Sequence, residues 1–529
     1  MKWFGRKAGK GGERIEPEVQ LVRSNIPRVP RRQLVTVRRR SFDAGASDRL
    51  TSGWATSPLT ADDIVRRNWR VLVARSRDQA ANNDYGKAFI RRCRQNIVGP
   101  RGLMLQAQAK DGDKLDSGAN KAIERAWARW SKAKNCDVTG KMSLRQIQKA
   151  LITSAVKDGE FFLRIVIGKE AGPWGFALQV LDPVRCPVDL EQKDMPGGRF
   201  IRHGIEFNRY GRPLAFYFQT LAADEIDYSF GGRDYTRVPA DQIVHGYLTD
   251  IIGQKRGLPW MATSLVRLQH LSEFEKSALV NAREGANKQG FIEWDEGFGP
   301  AVEDGTEVEI ESEPGTYHEL PMGARFKGHD PQYPSGELAV FSKHMLRGIA
   351  SGLGVAYNAF ANDLEGVNFS SIRQGVLDER DHWMDMQEWL IESFAAPVYE
   401  AWLGYSLLAG RITLDNGSPL PPVKREKFQS VAWLGRRWDW IDPQKDITAA
   451  IEAKDNLFQS PSQIIRDRGR DPQSVWAQVA QDIEDMRAAG IPENIIETII
   501  QRKTAGGQKN GPEANEAGEA DPSGGQKDG

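Results

Sequence analysis

The sequence predicts an α+β fold in which helices stand before and after a block of short strands. Three observations carry that prediction. Apolar residues recur with helical spacing from Thr60 to about residue 157. Between Phe161 and Gln219 the pattern becomes short β-branched and aromatic runs punctuated by Gly and Pro. From Gly257 onward, long helical patterns return. Helices followed by a strand cluster do not give the alternating order of a parallel α/β sheet.

Taken in order, residues 1 to about 58 read as a flexible basic arm, with twelve Lys or Arg against three Glu in the first forty positions. The helical region from Thr60 interleaves Arg66, Arg67, Arg70, Arg75, Arg77, Lys87, Arg91, Arg92 and Arg94 with Ile64, Val65, Phe89, Ile90 and Ile97. That pattern suits either the wet face of amphipathic helices or a nucleic-acid surface. Helices are expected at 119–133 and 143–157. Strands are expected at Phe161–Gly168, Phe176–Leu181, His203–Phe207 and Leu214–Gln219, the last two forming a hairpin that turns at Tyr210-Gly211.

Gly257 and Pro259 are expected to open a helix running to about Lys288. Next, Gln289 to Ala324 holds ten acidic residues and no Lys or Arg, and alternation in GTEVEIES suits a strand exposed on one face. A helix in SGELAVFSKHMLRGIASGLGV should stop at Gly352 and Gly354. The following AYNAFANDLEGVNFS, rich in Asn, Asp and Gly, should form neither helix nor strand. Ser370 or Ser371 can then cap a long helix whose stripe includes Leu377, Trp383, Leu390, Phe394, Val398 and Trp402. After the loop Gly410–Val423, Asp442-Pro443, Ser460-Pro461 and Asp471-Pro472 each read as a cap with Pro at the first helical position. From Lys503 the composition predicts disorder.

Residue chemistry excludes more than it offers. Cys93, Cys136 and Cys186 are an odd, widely spaced set without CxxC, which argues for buried thiols rather than a disulfide framework or zinc site. The seven His residues make no HxxxH or HxH pair. No GxxxxGK[ST] or GxSxG is present, and no cofactor is expected. Asp378, Glu379, Asp381 and Asp385 crowd one helix but do not face a common point, which disfavours a metal-dependent nuclease, the main enzymatic alternative. The N-terminal residues lack the apolar core of a secretory signal, and no apolar run is long enough to span a bilayer, so neither a membrane partner nor a membrane pore is expected. The fifteen Trp residues read as core and subunit packing.

Several segments, in one order, give the chain a family resemblance. They are RSRDQAANNDYGKAFIRRCRQNIVG from Arg75, LDPVR from Leu181, HGIEFNRYGRPLAFYF from His203 and RVPADQIVH from Arg237. GQKRGLPWMATSLVRLQHLSEFE follows from Gly253, then NFSSIRQG from Asn368 and RWDWIDPQKDITAAIEAKDNLFQSPSQIIRDRGRD from Arg437. Over roughly residues 60 to 490 the chain resembles the lambda-like portal proteins of tailed bacteriophages.

The resemblance implies a portal-type ring subunit: an α/β wing, a two-helix stem, a small β-containing clip and a helical C-terminal crown. Its parts would be a basic arm (1–58), wing (59–257 and 367–440), stem helices (258–288 and 336–357), clip (289–335), tunnel loop (358–366), crown (441–502) and disordered tail (503–529). It implies a homo-oligomer, commonly of twelve subunits, at a capsid vertex of the virion and assembled in the host cytoplasm. Double-stranded DNA would pass through without sequence readout. Implied partners are the terminase large subunit, head-completion or adaptor proteins, and the major capsid and scaffold proteins.

Asn358, Phe360, Asn362, Asp363, Glu365, Gly366 and Asn368 are the candidate tunnel-loop residues facing DNA. Glu303, Asp304, Glu307, Glu309, Glu311 and Glu313 are the candidate clip residues. They either keep like charge against sliding DNA, keep a lobe soluble, or dock a partner.

Overall fold

The computed structural model describes residues 55–220, 234–286, 290–295, 322–328, 337–365, 369–438 and 443–501, with positions 53 and 320. The chain divides after Pro58, and the fold below is that of the unit from Leu59 onward. Most of the predicted basic arm, the GTEVEIES strand and the C-terminal tail lie outside the described residues.

Two helices open the unit, α1 (Ala61–Asn82) and α2 (Asp84–Cys93). The Thr60 hydroxyl accepts the Asp63 amide at 3.2 Å to start α1. Asn83 separates the pair, its side chain accepting the amides of Tyr85 and Gly86. A π turn at Arg94–Val98 leads into β1 (Met104–Ala107). A small hairpin, β2 (Lys110–Asp111) and β3 (Lys114–Leu115), then precedes α3 (Ser117–Trp130), the one-turn α4 (Ala133–Cys136) and α5 (Leu144–Asp158). A capping box between Ser143 and Gln146 starts α5, and Gly159 at φ +87° ends it. On α1 Arg66 pairs with Asp63 on the wet face, whereas Arg77 is half-buried and bridges Asp158 and Asp182 at 2.7 and 2.6 Å.

The strand block forms two antiparallel sheets. One has the order β11-β4-β5, from β4 (Glu160–Ile167), β5 (Phe176–Leu181) and β11 (Ile243–Tyr247). The other has the order β10-β9-β8-β7-β6, from β6 (Gln192–Met195), β7 (Arg199–Arg202), β8 (Ile205–Phe207), β9 (Pro213–Gln219) and β10 (Tyr235–Pro239). The expected hairpin is present as β8–β9, turning through Asn208–Arg212 with Gly211 at φ +82°. Phe162 of β4 meets Phe216 and Phe218 of β9 edge-on, so the two sheets share one apolar layer.

Two long helices follow, α6 (Leu265–Ala286) and α7 (Glu337–Leu353), joined through β12 (Gly290–Trp294) and β13 (Ala324–Gly328). α6 starts later than the sequence suggests, because Gly257 and Leu258 lie flat against Gly159 and leave no room for a helical turn. α7 ends as expected, with Gly354 at φ +68°.

The segment expected to be irregular contains a short helix, α8 (Tyr357–Ala361). Its residues fold because Phe360 is buried against Tyr85 of α2, a partner no local pattern reveals. The next helix, α9 (Phe369–Leu390), already includes Ser370 and Ser371, so neither caps it. A π turn at Ile391–Ala395 joins it to α10 (Ala396–Leu408). The stripe from Trp383 to Trp402 is buried as predicted, whereas Leu377 is 39% exposed.

The chain returns through α11 (Arg425–Phe428) to β14 (Val431–Leu434), which pairs antiparallel with β1. Trp127, Trp130, Trp402, Tyr399 and Trp433 interlock there with ring centroids 4.7–6.1 Å apart, the expected packing role for tryptophan. Last comes a helical module of α12 (Pro443–Asp455), α13 (Pro461–Asp467), α14 (Pro472–Ala488) and α15 (Glu493–Gln501). The Ser460 cap and the stops at Gly469 and Gly490, at φ +66° and +79°, match the sequence reading. All three cysteines are buried thiols.

Candidate functional site

α6 and α7 run antiparallel. The Ser264 hydroxyl donates to the Ile349 carbonyl and Thr263 to that of Gly352, while Phe274 packs on Phe341 at 4.9 Å toward the other end. Leu265, Leu268, Leu271 and Ala278 bury one stripe of α6, and Leu346, Ile349 and Ala350 the matching stripe of α7. Other apolar side chains of the pair keep much of their surface exposed: Val266 (59% exposed), Leu279 (71%), Val280 (51%), Val340 (69%) and, beyond its contact with Phe274, Phe341 (47%). Single exposed apolar residues are ordinary, but five on one helix pair form a surface that wants a partner.

The pair is anchored by a buried ionic hub at its base. Arg256, fully buried, donates to Glu160 at 2.6–2.9 Å and to the carbonyls of Cys186, His203 and Pro183 at 2.8–3.2 Å. Its guanidinium lies 4.8 Å from the Trp69 ring and 5.4 Å from that of Phe162. Glu160 also accepts from His245 Nε2 at 2.9 Å and from the Gly257 amide at 3.1 Å. Burial opposes the charge on Glu160, yet the guanidinium and the His245 donor hold its carboxyl down to about 2. Burial pushes the His245 imidazole below its usual value. A neutral ring must carry its proton on Nε2 to donate to Glu160. One residue thus ties β4, the turns before β6 and β8, and α1 to the chain entering α6.

Of the candidate loop residues, Asp363 and Glu365 lie beside Lys343 in the first half of α7. Asp363 accepts from the Tyr357 hydroxyl at 2.7 Å, the Glu365 amide at 3.0 Å and Lys343 at 3.2 Å, and these donors hold its carboxyl at about 2. Lys343 also pairs with Glu365 at 2.9 Å, both carboxylates keeping its ammonium above its usual range. Asn362 closes α8 in the left-handed region at φ +54°, a conformation Asn tolerates. Asn362 and Glu365 are exposed, Asn358 is half-buried, and Leu364 is 69% exposed. Phe360, named with them from sequence, is 2% exposed and packs inward, so it positions the loop and offers no surface. Gly366 and Asn368 lie outside the described residues.

So do Glu303, Asp304, Glu307, Glu309, Glu311 and Glu313; what is described is the base of their segment. There β12 and β13 pair over five residues, with Glu293 on Lys327 at 2.6 Å and Asp295 on Arg325 at 3.3 Å. Among the described residues no group of three His, Cys, Asp or Glu is placed to hold a metal, and no helix is long and apolar enough to cross a membrane. Sequence reasoning missed the Arg256 hub, whose one local signal was Glu160 at the head of the apolar run FFLRIVI.

Comparison with known proteins points one way. A family model described as phage portal protein, lambda family, matches residues 47–387. The chain is 33% identical over 476 residues to a probable portal protein of Halomonas phage phiHAP-1, covering 88% of this chain and 90% of that protein. It is 20% identical to portal protein B of Escherichia phage lambda, covering 83% and 88%. Among solved structures, it is similar to a chain from the neck of an empty gene transfer agent (GTA) particle, at 16% identity and TM-score 0.42, covering 80% of this chain and 98% of that one. The family match spans more than half of the sequence, and the chain is a member of the lambda family of phage portal proteins.

Proposed function

We propose that copies of this portal protein close into a ring, twelve being the number the resemblance implies, and that the ring is a channel for double-stranded DNA at one capsid vertex. Portal proteins are structural rather than enzymatic, and this reading needs no chemistry from the chain. The observation that carries it is the α6–α7 pair, which leaves Val266, Leu279, Val280 and Val340 more than half exposed in one subunit. Heterologous contacts around a closed rotation bury such a face on every copy. In this reading 59–257 with 367–440 is the wing, α6 and α7 are the stem, 289–335 the clip, 358–366 the tunnel loop and 441–502 the crown. The acidic clip either keeps DNA from adhering or docks terminase and head-completion proteins, while capsid and scaffold proteins meet the wing.

The loop after α8 is the proposed inner collar, touching the DNA backbone by shape and short polar contacts rather than by base readout. Asn362 supplies the side-chain donor for those contacts, while Asp363 and Glu365, whose carboxylates repel phosphate, hold the loop in shape through Tyr357 and Lys343. Deleting Asn362 to Glu365 leaves Phe360 seated, so the ring is expected to assemble at wild-type mass. DNA packaged per particle, measured by nuclease protection, is expected to fall at least tenfold. Wild-type packaging by the deletion variant would remove the loop from the channel.

A further inference from the structure

We infer that the cleft between the β1–β14 region and the C-terminal helical module is a docking surface for the phosphate backbone of double-stranded DNA, outside the channel. The choice of DNA rests on the portal reading; the basic surface itself does not.

The cleft encloses about 930 Å³, and Arg101, Arg437 and Arg470 line it from three separate segments. None of the three has a carboxylate partner among the described residues. The carboxylates nearby accept from neutral donors and keep their charge, which offsets part of the positive excess. Asp467, on the cleft wall, accepts from Gln463 at 2.9 Å. Glu124 and Asp471, in the adjoining groove, take the Ala107 amide and the Gln106 side chain. Positive charge continues past the cleft. Arg145 donates to the Pro100 carbonyl at 2.8 Å and so sits at the cleft edge, and Lys149 and Arg94 line the next groove. Burial and then the nearness of Arg145 and Arg94 push the Lys149 ammonium down, a sign of crowded like charge. The acids of that groove, Asp158 and Asp182, both belong to Arg77.

A string of cations that repel one another gains most from a polyanion whose charges also repeat, because each phosphate contact releases condensed counterions. A small anion would need donors converging on one point, and these line a stripe instead. The chain carries two acidic stretches of its own, 289–324 and the one holding Glu513, Glu516, Glu519 and Asp521 after the helical module. Their charges are fewer and unevenly spaced, whereas a duplex repeats one charge about every 1.7 Å along its axis, so DNA is the occupant a stripe of cations favours.

The test uses a covalently closed DNA circle, which cannot thread a ring, and purified full-length protein. The comparison is wild type against Arg101→Glu/Arg437→Glu/Arg470→Glu, with Arg101→Gln/Arg437→Gln/Arg470→Gln as a milder set should reversal impair folding. Wild type is expected to bind with an affinity that falls steeply with salt. The Gln set should bind at least tenfold more weakly at 50 mM salt, with the slope of log affinity against log salt shallower by about three, near 0.9 for each phosphate no longer neutralised. Unchanged affinity and slope in folded variants would overturn the inference, as would capture of a 289–324 peptide by the cleft with no binding of DNA. Native mass on the same samples separates the two readings: a ring without DNA binding sinks this inference alone, and binding without a ring sinks the channel alone.

Discussion

Replacing Arg256 with Met is expected to be among the most destabilising single changes in the described fold. The substitution keeps the volume but leaves Glu160 charged and buried, with three carbonyls short of a donor. Breaking a buried pair from one side costs about 3–5 kcal/mol, so the urea midpoint of the region bearing the strands and the α6 base should drop sharply. Adding Glu160→Gln removes the stranded charge and should recover part of that loss. Wild-type stability in the single variant would show that the hub contributes nothing.

The same hub fixes a pH dependence. The Glu160 carboxyl is held near 2, below its unfolded value of about 4.3, so its contribution is fully present above that value and is lost as pH falls toward 2. His245 and His203 are both pushed down by burial, so the unfolded chain binds their protons first. Their contribution begins to decline as pH falls below about 6.5. Stability should therefore slip below neutrality and fall more steeply below pH 4, and the Arg256→Met/Glu160→Gln variant should lose the share of the steeper part that Glu160 supplies.

The second large effect concerns assembly. Val266, Leu279 and Val340 are each more than half exposed in one subunit, and burying what remains of each would stabilise by roughly 1–2 kcal/mol. Changing all three to Glu removes that stabilisation and adds repelling charge at every interface. Since 1.4 kcal/mol is tenfold in affinity, association should weaken by at least about a hundredfold. Native mass spectrometry should then find a monomer with an unchanged circular dichroism spectrum. An intact ring from this variant would mean that copies meet through other surfaces.

Local signals made much of this fold legible. The C-terminal helices could be placed because Ser460-Pro461 and Asp471-Pro472 start them and Gly469 and Gly490 stop them, all within a few residues. The β8–β9 hairpin was readable for the same reason, from Gly211. What escaped depends on partners far apart in sequence. α8 forms because Phe360 finds Tyr85, and Glu160, His245 and Arg256 meet only once two strands and the α6 approach are in register. The Arg101–Arg437–Arg470 cleft likewise joins three remote segments, and the basic run visible in the sequence, Arg66 to Arg94, shares only its last member with that stripe. The candidate site was legible as a region but not as contacts: Asn362, Asp363 and Glu365 stand at the loop, while Phe360 holds it down from beneath.

Purified wild-type protein imaged by negative-stain electron microscopy, with native mass measured on the same sample, tests the central claim most directly. The expected result is a closed ring with a central hole and a mass near twelve times that of the 59.1 kDa chain. A monomer persisting at micromolar concentration, with no ring formed even when scaffold protein is added, would contradict it.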